Sequence, residues 1–245
     1  MLDNPILLII ALIAVTIGAV LQSLAGVGMA LIAAPILVLI EPNFLPAPIL
    51  ALGCFLSLLN TVNYRHKLHL GNTQIALIGR VPGSVLGVYL LTLLPLEFFY
   101  LVFSIFVVLS VLLTYRDIRV SPSSCNLFIA GFFSGLMGTT TSVGGPPIAL
   151  AYQNSSPEKA RAELGLFFLV GTIISLTLLW IADNISYHQI QLTLPLLPAI
   201  LLGFLLSRRL DKHFKPYYLK PLIASLSVIL GLVIFIKAMA TFNPG

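Results

Sequence analysis

The chain has 245 residues, of which 58% are hydrophobic and only 9% charged, with a mean hydropathy of +1.05. A water-soluble domain carries about a quarter charged residues, so this composition excludes a soluble enzyme or binding module. The net charge of +5 does not point to nucleic acid, because the basic residues are spread over short connections between apolar runs and form no single stripe.

In chain order, the first apolar run is Pro5 to Leu24. No Lys or Arg precedes it and no small-residue cleavage site follows it, so a cleaved signal peptide is not expected. It leads into the glycine-containing stretch Gln22-Ser23-Leu24-Ala25-Gly26-Val27-Gly28, after which a second short apolar helix carries Pro35. Phe44 to Val62, Thr73 to Leu94 and Leu96 to Thr114 follow as three long runs. A second short apolar helix pair begins near Asn126, with its own break at Gly138-Thr139-Thr140-Thr141-Ser142-Val143-Gly144-Gly145-Pro146-Pro147. Leu164 to Ala182, Gln189 to Leu206 and Leu219 to Ile236 complete the chain. Most of the runs are close to the roughly 20 residues that carry a helix across about 30 Å of hydrocarbon. They are apolar on all sides and lack the alternation of outer-membrane strands. The expected fold class is all-α, a polytopic membrane protein.

The two series of elements correspond. Each opens with a helix, a glycine break and a proline-bearing helix, then three spans. Pro82-Gly83-Ser84-Val85-Leu86-Gly87 echoes Pro198-Ala199-Ile200-Leu201-Leu202-Gly203, and Phe98-Phe99-Tyr100-Leu101 echoes Pro216-Tyr217-Tyr218-Leu219. An internal repeat follows, with residues 1–118 as the first unit and 119–245 as the second, together forming one transmembrane domain. Arg65 and Lys67, Arg116 and Arg119, Lys159 and Arg161, and Arg208, Arg209, Lys212 and Lys215 fall in alternate connections, with Glu41, Glu97 and Asp183 between them. By the positive-inside rule the basic set is cytoplasmic, which inverts one repeat against the other and puts both termini outside. Lys237 alone argues the other way, and a lysine at a span end can snorkel.

The second break is the strongest local signal. Hydroxyls and glycines closed by two prolines are not expected to continue a membrane helix, and a broken backbone in lipid must face protein, water or ligand. A helix starting at the prolines would aim free N–H groups at the break, where an oxyanion is favoured. The candidate substrate-binding residues are therefore Gly138, Thr139, Thr140, Thr141, Ser142, Gly144, Gly145 and Pro146, with Gln22, Ser23, Gly26 and Gly28 from the first break. A tight helix-helix turn without a ligand is the plain alternative. Arg80 joins the candidates because it lies about 8 residues, roughly 12 Å, into its span. Either it meets a substrate anion, or it snorkels or caps a helix carbonyl.

Other features read as structural. Gly79, Gly83 and Gly87 share one helix face suited to close packing, as do Gly131 and Gly135. Asn60, Asn63, Gln153 and Asn154 could line a polar path or bond neighbouring helices. His66, His69, His188 and His213 fall in or beside loops. Cys54 and Cys125 have neither the number nor the spacing of a disulfide framework or metal site. No cofactor is implied.

With the duplicated glycine break, the Ser134-Gly135-Leu136-Met137-Gly138 stretch and the Gly144-Gly145-Pro146-Pro147 run in place, nearly the whole chain resembles the sulfite exporter TauE/SafE family. In that family the first break is often richer in glycine, whereas Met29 and Ala30 follow Gly28 here. The resemblance implies a bacterial inner-membrane transporter of sulfite, sulfonates or related small sulfur anions, working by alternating access. The partners expected are that anion and the lipid bilayer, with a homo-oligomer left open. An anion channel is the nearest rival. An intramembrane enzyme would need a paired Ser and His, two aspartates or a His-Glu metal motif, and the spans contain none at useful spacing.

Overall fold

The computed structural model describes residues 4–68, 70–93, 95–115, 121, 123–211, 229, 232, 233, 235 and 236. In this range the chain forms helices α1 (Pro5–Ala25), α2 (Met29–Ile40), α3 (Ala47–Tyr64), α4 (Leu70–Leu93) and α5 (Leu96–Tyr115). They are followed by α6 (Ser124–Thr141), α7 (Gly145–Ala151), α8 (Pro157–Ile181), α9 (Tyr187–Thr193) and α10 (Leu197–Leu210). Short 3-10 turns at Pro42–Phe44, Arg65–Lys67 and Leu194–Leu196 adjoin α3 at both ends and join α9 to α10. There is no strand among the described residues. The all-α expectation is met.

Local chemistry sets the helix ends. Asn4 caps α1 by accepting the Ile6 and Leu7 N–H groups at 3.1 and 3.4 Å, with Pro5 supplying the first helical φ. Ser123 caps α6 through the Asn126 N–H at 3.3 Å, and Ser186 with Gln189 forms a capping box on α9.

The first helix of each broken pair is longer than the sequence reading has it. α1 has 21 residues and α6 has 18, and only their return helices, α2 and α7, are short, with 12 and 7 residues. Five helical segments among the described residues are long and apolar enough to cross a membrane: Pro5–Ala25, Pro42–Lys67, Leu70–Leu93, Pro157–Ile181 and Tyr187–Leu210. Large apolar side chains such as Ile6, Ile13, Ile78, Ile173, Trp180 and Ile181 are exposed. A bilayer covers such a surface; water would not. The protein is an integral membrane protein.

Two of the three apolar clusters among the described residues form most of the interior. One unites α1, α2, α3 and α10, with Ala19, Met29, Leu37, Leu52 and Ile200 at its centre. The other unites α4, α6, α7 and α8 around Ala76, Leu127, Ile148 and Phe167. The glycine stripe makes the second possible: a Cβ at Gly79 or Gly83 would lie 2.1 or 2.0 Å from the carbonyl oxygens of Phe128 and Phe132. From the α6 side, a Cβ at Gly131 would fall 2.0 Å from the Ala76 carbonyl. Without a side chain on either face, α4 and α6 touch backbone to backbone. On the other flank Gly203 brings α10 against α1, where a Cβ would lie 2.6 Å from that of Ala19.

Basic connections meet at one end. Lys67 pairs with Glu158 at 3.3 Å and Arg161 with Asp211 at 2.6 Å. At the opposite end His188 pairs with Glu41, and the Gln189 amide donates to the Leu45 carbonyl at 3.1 Å. The basic loop at Arg116 and Arg119, most of the span from Leu219, and His69, Lys212, His213, Lys215 and Lys237 lie outside the described residues.

Candidate functional site

Both breaks use one turn. At the first, α1 ends on Gly26 in the left-handed region at φ 83°, its N–H donating to the Gln22 carbonyl at 2.7 Å. At the second, α6 ends on Ser142 at φ 63°, its N–H donating to the Gly138 carbonyl at 2.9 Å. A valine follows each, then a glycine, Gly28 or Gly144, that opens the return helix. Gly28 needs its missing side chain, because it sits at φ 131°. Ser142 is the rarer case, a non-glycine residue in the left-handed region, which costs about 1–2 kcal/mol. Its hydroxyl donates to the Pro46 carbonyl at 3.0 Å, tying the second break to the start of α3.

The second break is narrower than the sequence suggests. Gly138, Thr139, Thr140 and Thr141 remain helical, and only Ser142 to Gly144 leave the helix. The reason is local bonding: Thr140 and Thr141 donate to the Leu136 and Met137 carbonyls at 2.8 and 2.7 Å. Hydroxyls that bond one turn back satisfy themselves without breaking the ladder. Thr139 instead meets Ser175 on α8 at 2.8 Å.

The tips of the two return helices come together. A Cβ on Gly145 would lie 3.2 Å from that of Val27. Beside this contact is a cavity of about 40 Å³, lined by residues that include Gln22, Gly28, Ser142, Gly145 and Pro146 from the two breaks. One water needs roughly 10–15 Å³ on this measure, so the space suits a few heavy atoms. Ser57 and Gly53 of α3 and Phe168 and Thr172 of α8 close it. Gln22 uses its side-chain oxygen to accept the Met29 N–H at 3.3 Å, at the start of α2. Thr172 bonds the Phe168 carbonyl at 2.7 Å. The Ser57 hydroxyl is buried with no partner among the described residues. A hydroxyl without a partner on a cavity wall is able to donate to or accept from a group in the cavity.

The remaining candidates stand behind this wall. Ser23, Gly26, Gly138, Thr139, Thr140, Thr141, Gly144 and Arg80 are not among the lining residues. Arg80 does not snorkel, since it is 1% exposed. Its guanidinium carbon lies 4.8 Å from the centre of the Phe167 ring and 5.9 Å from that of Phe168, one side chain away from the cavity. Nη1 donates to the Ser134 hydroxyl at 3.3 Å, and that hydroxyl donates to the Gly144 carbonyl at 2.5 Å. Arg80 thus braces the second break from behind. Among the described residues it makes no ion pair, and its Nε has no hydrogen-bond partner.

Ser57, Phe168 and Thr172 escaped sequence reasoning because a lone hydroxyl or aromatic in an apolar span carries no spacing signal. The sequence places Arg161 in a basic connection, yet it is helical and 7% exposed. Its Nε donates to the Leu24 carbonyl at 2.7 Å and its Nη1 reaches the Tyr64 hydroxyl at 3.1 Å as well as Asp211. Of the amides, Asn60 is buried, whereas Gln153 and Asn154 are exposed in a turn.

Long apolar helices around two facing breaks, with a small, mostly apolar cavity carrying a few polar groups between them, have the architecture of a polytopic membrane transporter. Residues 10–234 match the model of the family described as sulfite exporter TauE/SafE. The chain belongs to that family of sulfur-anion transporters. No curated protein and no solved structure matches it.

Proposed function

We propose that the protein carries sulfite or a small organosulfonate across a bacterial inner membrane by alternating access, with both termini outside. The observation that carries the anion reading is Arg80, which is buried and among the described residues makes no ion pair, with its guanidinium 5.9 Å from the centre of the Phe168 ring that lines the cavity. An uncompensated guanidinium inside a membrane protein is costly, and an anion drawn to within one side chain of it offsets that cost. The substrate then rests on neutral groups, the hydroxyls of Ser57, Ser142 and Thr172 and the backbone of Gly28 and Gly145, while Arg80 supplies the field.

Repeats spanning 1–118 and 119–245 fit this reading. α4 packs on α6 as α10 packs on α1, and α3 packs on α8, the pairing expected if the two halves exchange. Rocking one half against the other would open the cavity to either side.

Flux into proteoliposomes tests the proposal, using labelled sulfite and a sulfonate panel. Saturable uptake with counterflow is expected, whereas a fast ohmic current would mean a channel. Transport of a cation or sugar with none of the sulfur anions would refute it.

A further inference from the structure

α8 buries a carboxyl that the cavity does not use. Glu163 is fully buried, six residues into a 25-residue apolar helix. An ionisable side chain held inside a membrane protein marks an ion or proton pathway more often than a scaffold. Its surroundings suit a group that exchanges a proton. The phenol of Tyr152 lies against the carboxyl and meets the Thr73 hydroxyl of α4 at 3.3 Å. Lys159, one turn back, holds its Nζ 3.7 Å from Oε1 and is itself partly exposed, so a polar route leads from the basic end to the carboxyl.

Of the other charges on the packed elements, Arg65 and His66 in the turn after α3 are exposed, and those that follow are engaged elsewhere. Lys67, next to α3, pairs with the exposed Glu158. Arg161 donates to the Tyr64 hydroxyl and to the Asp211 carboxylate. Arg80 of α4 sits over Phe167, one turn further along the face of α8 that carries Glu163.

Position links this carboxyl to the cavity. Tyr152 caps the C-terminal end of α7, and Gly145 and Pro146 at the other end of that seven-residue helix line the cavity. Such a helix is about 10 Å long and moves as one piece. Charge links them as well. A carboxylate in this interior repels an incoming anion across a medium that screens poorly. Taking up one proton converts –COO⁻ to –COOH and removes that repulsion. By reciprocity, a bound anion raises the proton affinity of the carboxyl.

We propose that Glu163 is the proton-binding site of the carrier and that one proton moves with each anion in the same direction. This rests on the transport reading above and adds the coupling ion to it.

Two measurements on the full-length protein test the proposal. In proteoliposomes with a lumenal pH dye, an inward methanesulfonate gradient should acidify the lumen. Methanesulfonate is the probe because it carries no titratable proton of its own, unlike sulfite. Glu163→Gln should lose this acidification and the pH dependence of uptake while keeping anion counterflow; acidification that survives in this variant overturns the proposal. Infrared titration of the purified protein forms the second arm and needs no transport. A protonated-carboxyl band that grows as pH falls, and is missing in Glu163→Gln, is expected, and an identical band in both proteins overturns the assignment. If Glu163→Gln does not fold, Glu163→Asp decides. The shorter side chain withdraws from Tyr152 and should shift the pH at which the band appears, and an unshifted band counts against the site. Wild-type protein that moves no sulfur anion overturns the transport reading and the coupling with it, while the infrared arm still decides whether Glu163 binds a proton.

Discussion

Gly171 lacks a side chain where Arg80 lies: a Cβ there would fall 1.9 Å from the guanidinium Nε. The arginine is accommodated by a glycine on the neighbouring helix, between the Phe167 ring and the Ser134 hydroxyl. Gly171→Ala should therefore displace Arg80 and cost about 1–3 kcal/mol of stability, the range for overpacking a well-filled site. Thermal unfolding in detergent measures it. The effect should shrink when Arg80 is truncated as well, because the two residues share one space.

Gly145 and Gly71 form a second contrast. A side chain at Gly145 meets Val27 at 3.2 Å on the cavity wall, whereas a Cβ at Gly71 has nothing within 4 Å. Gly145→Val should reduce anion uptake at least about tenfold, a loss of roughly 1.4 kcal/mol or more in binding, while the protein still inserts and purifies. Gly71→Ala should leave uptake unchanged and stabilise α4 by about 0.5–1 kcal/mol. Equal uptake in the two variants would remove the second break from the site.

Arg161 gathers three chain segments, bonding the Leu24 carbonyl at the end of α1, the Tyr64 hydroxyl at the end of α3 and the Asp211 carboxylate after α10. Asp211→Asn leaves the buried guanidinium without its counter-charge. Because the Asp211 side chain is 37% exposed, water offsets part of the loss, and the cost should be about 1–3 kcal/mol, below the 3–5 of a fully buried pair. Arg161→Met should also free the first break, raising hydrogen exchange at the end of α1 relative to α6. Unchanged exchange there would limit the arginine to a local ion pair.

At the opposite end, burial acts to raise the Glu41 pKa, but hydrogen bonds from His188 and Asn43 and the His188 charge outweigh it, leaving it lowered. A carboxyl depressed in the folded state adds stability above its unfolded pKa and loses it as pH falls through the folded one. The contribution should be present above the ordinary glutamate pKa of about 4.3 and be lost as pH falls below it through the depressed folded value. Melting temperatures across this range, compared with Glu41→Gln, check it: the variant should lack that acid limb.

Much of this protein was legible before any fold was known. Composition and run length alone dictate a helical membrane protein, since about 20 apolar residues in a row suit only a bilayer. The breaks were legible because glycine at positive φ and proline at a helix start act through their own backbones, as at Gly28 and Pro146. The extent of the second break was not legible at Thr140 and Thr141, because a hydroxyl can bond its own helix and leave the ladder intact, as both do.

What the tertiary structure alone decided is which groups face one another. A helix that is apolar all round carries no stripe to say which side meets lipid and which meets protein. That Ser57 reaches the cavity wall, that Arg80 stands behind Phe168 and that Glu163 lies near Tyr152 therefore left no mark in the sequence. The Arg161 to Leu24 bond spans 137 residues, and no local propensity encodes a contact at that separation. It exists because packing α4 on α6 and α1 on α10 leaves the charged groups only a few buried partners, and each must find one or bear the cost of desolvation.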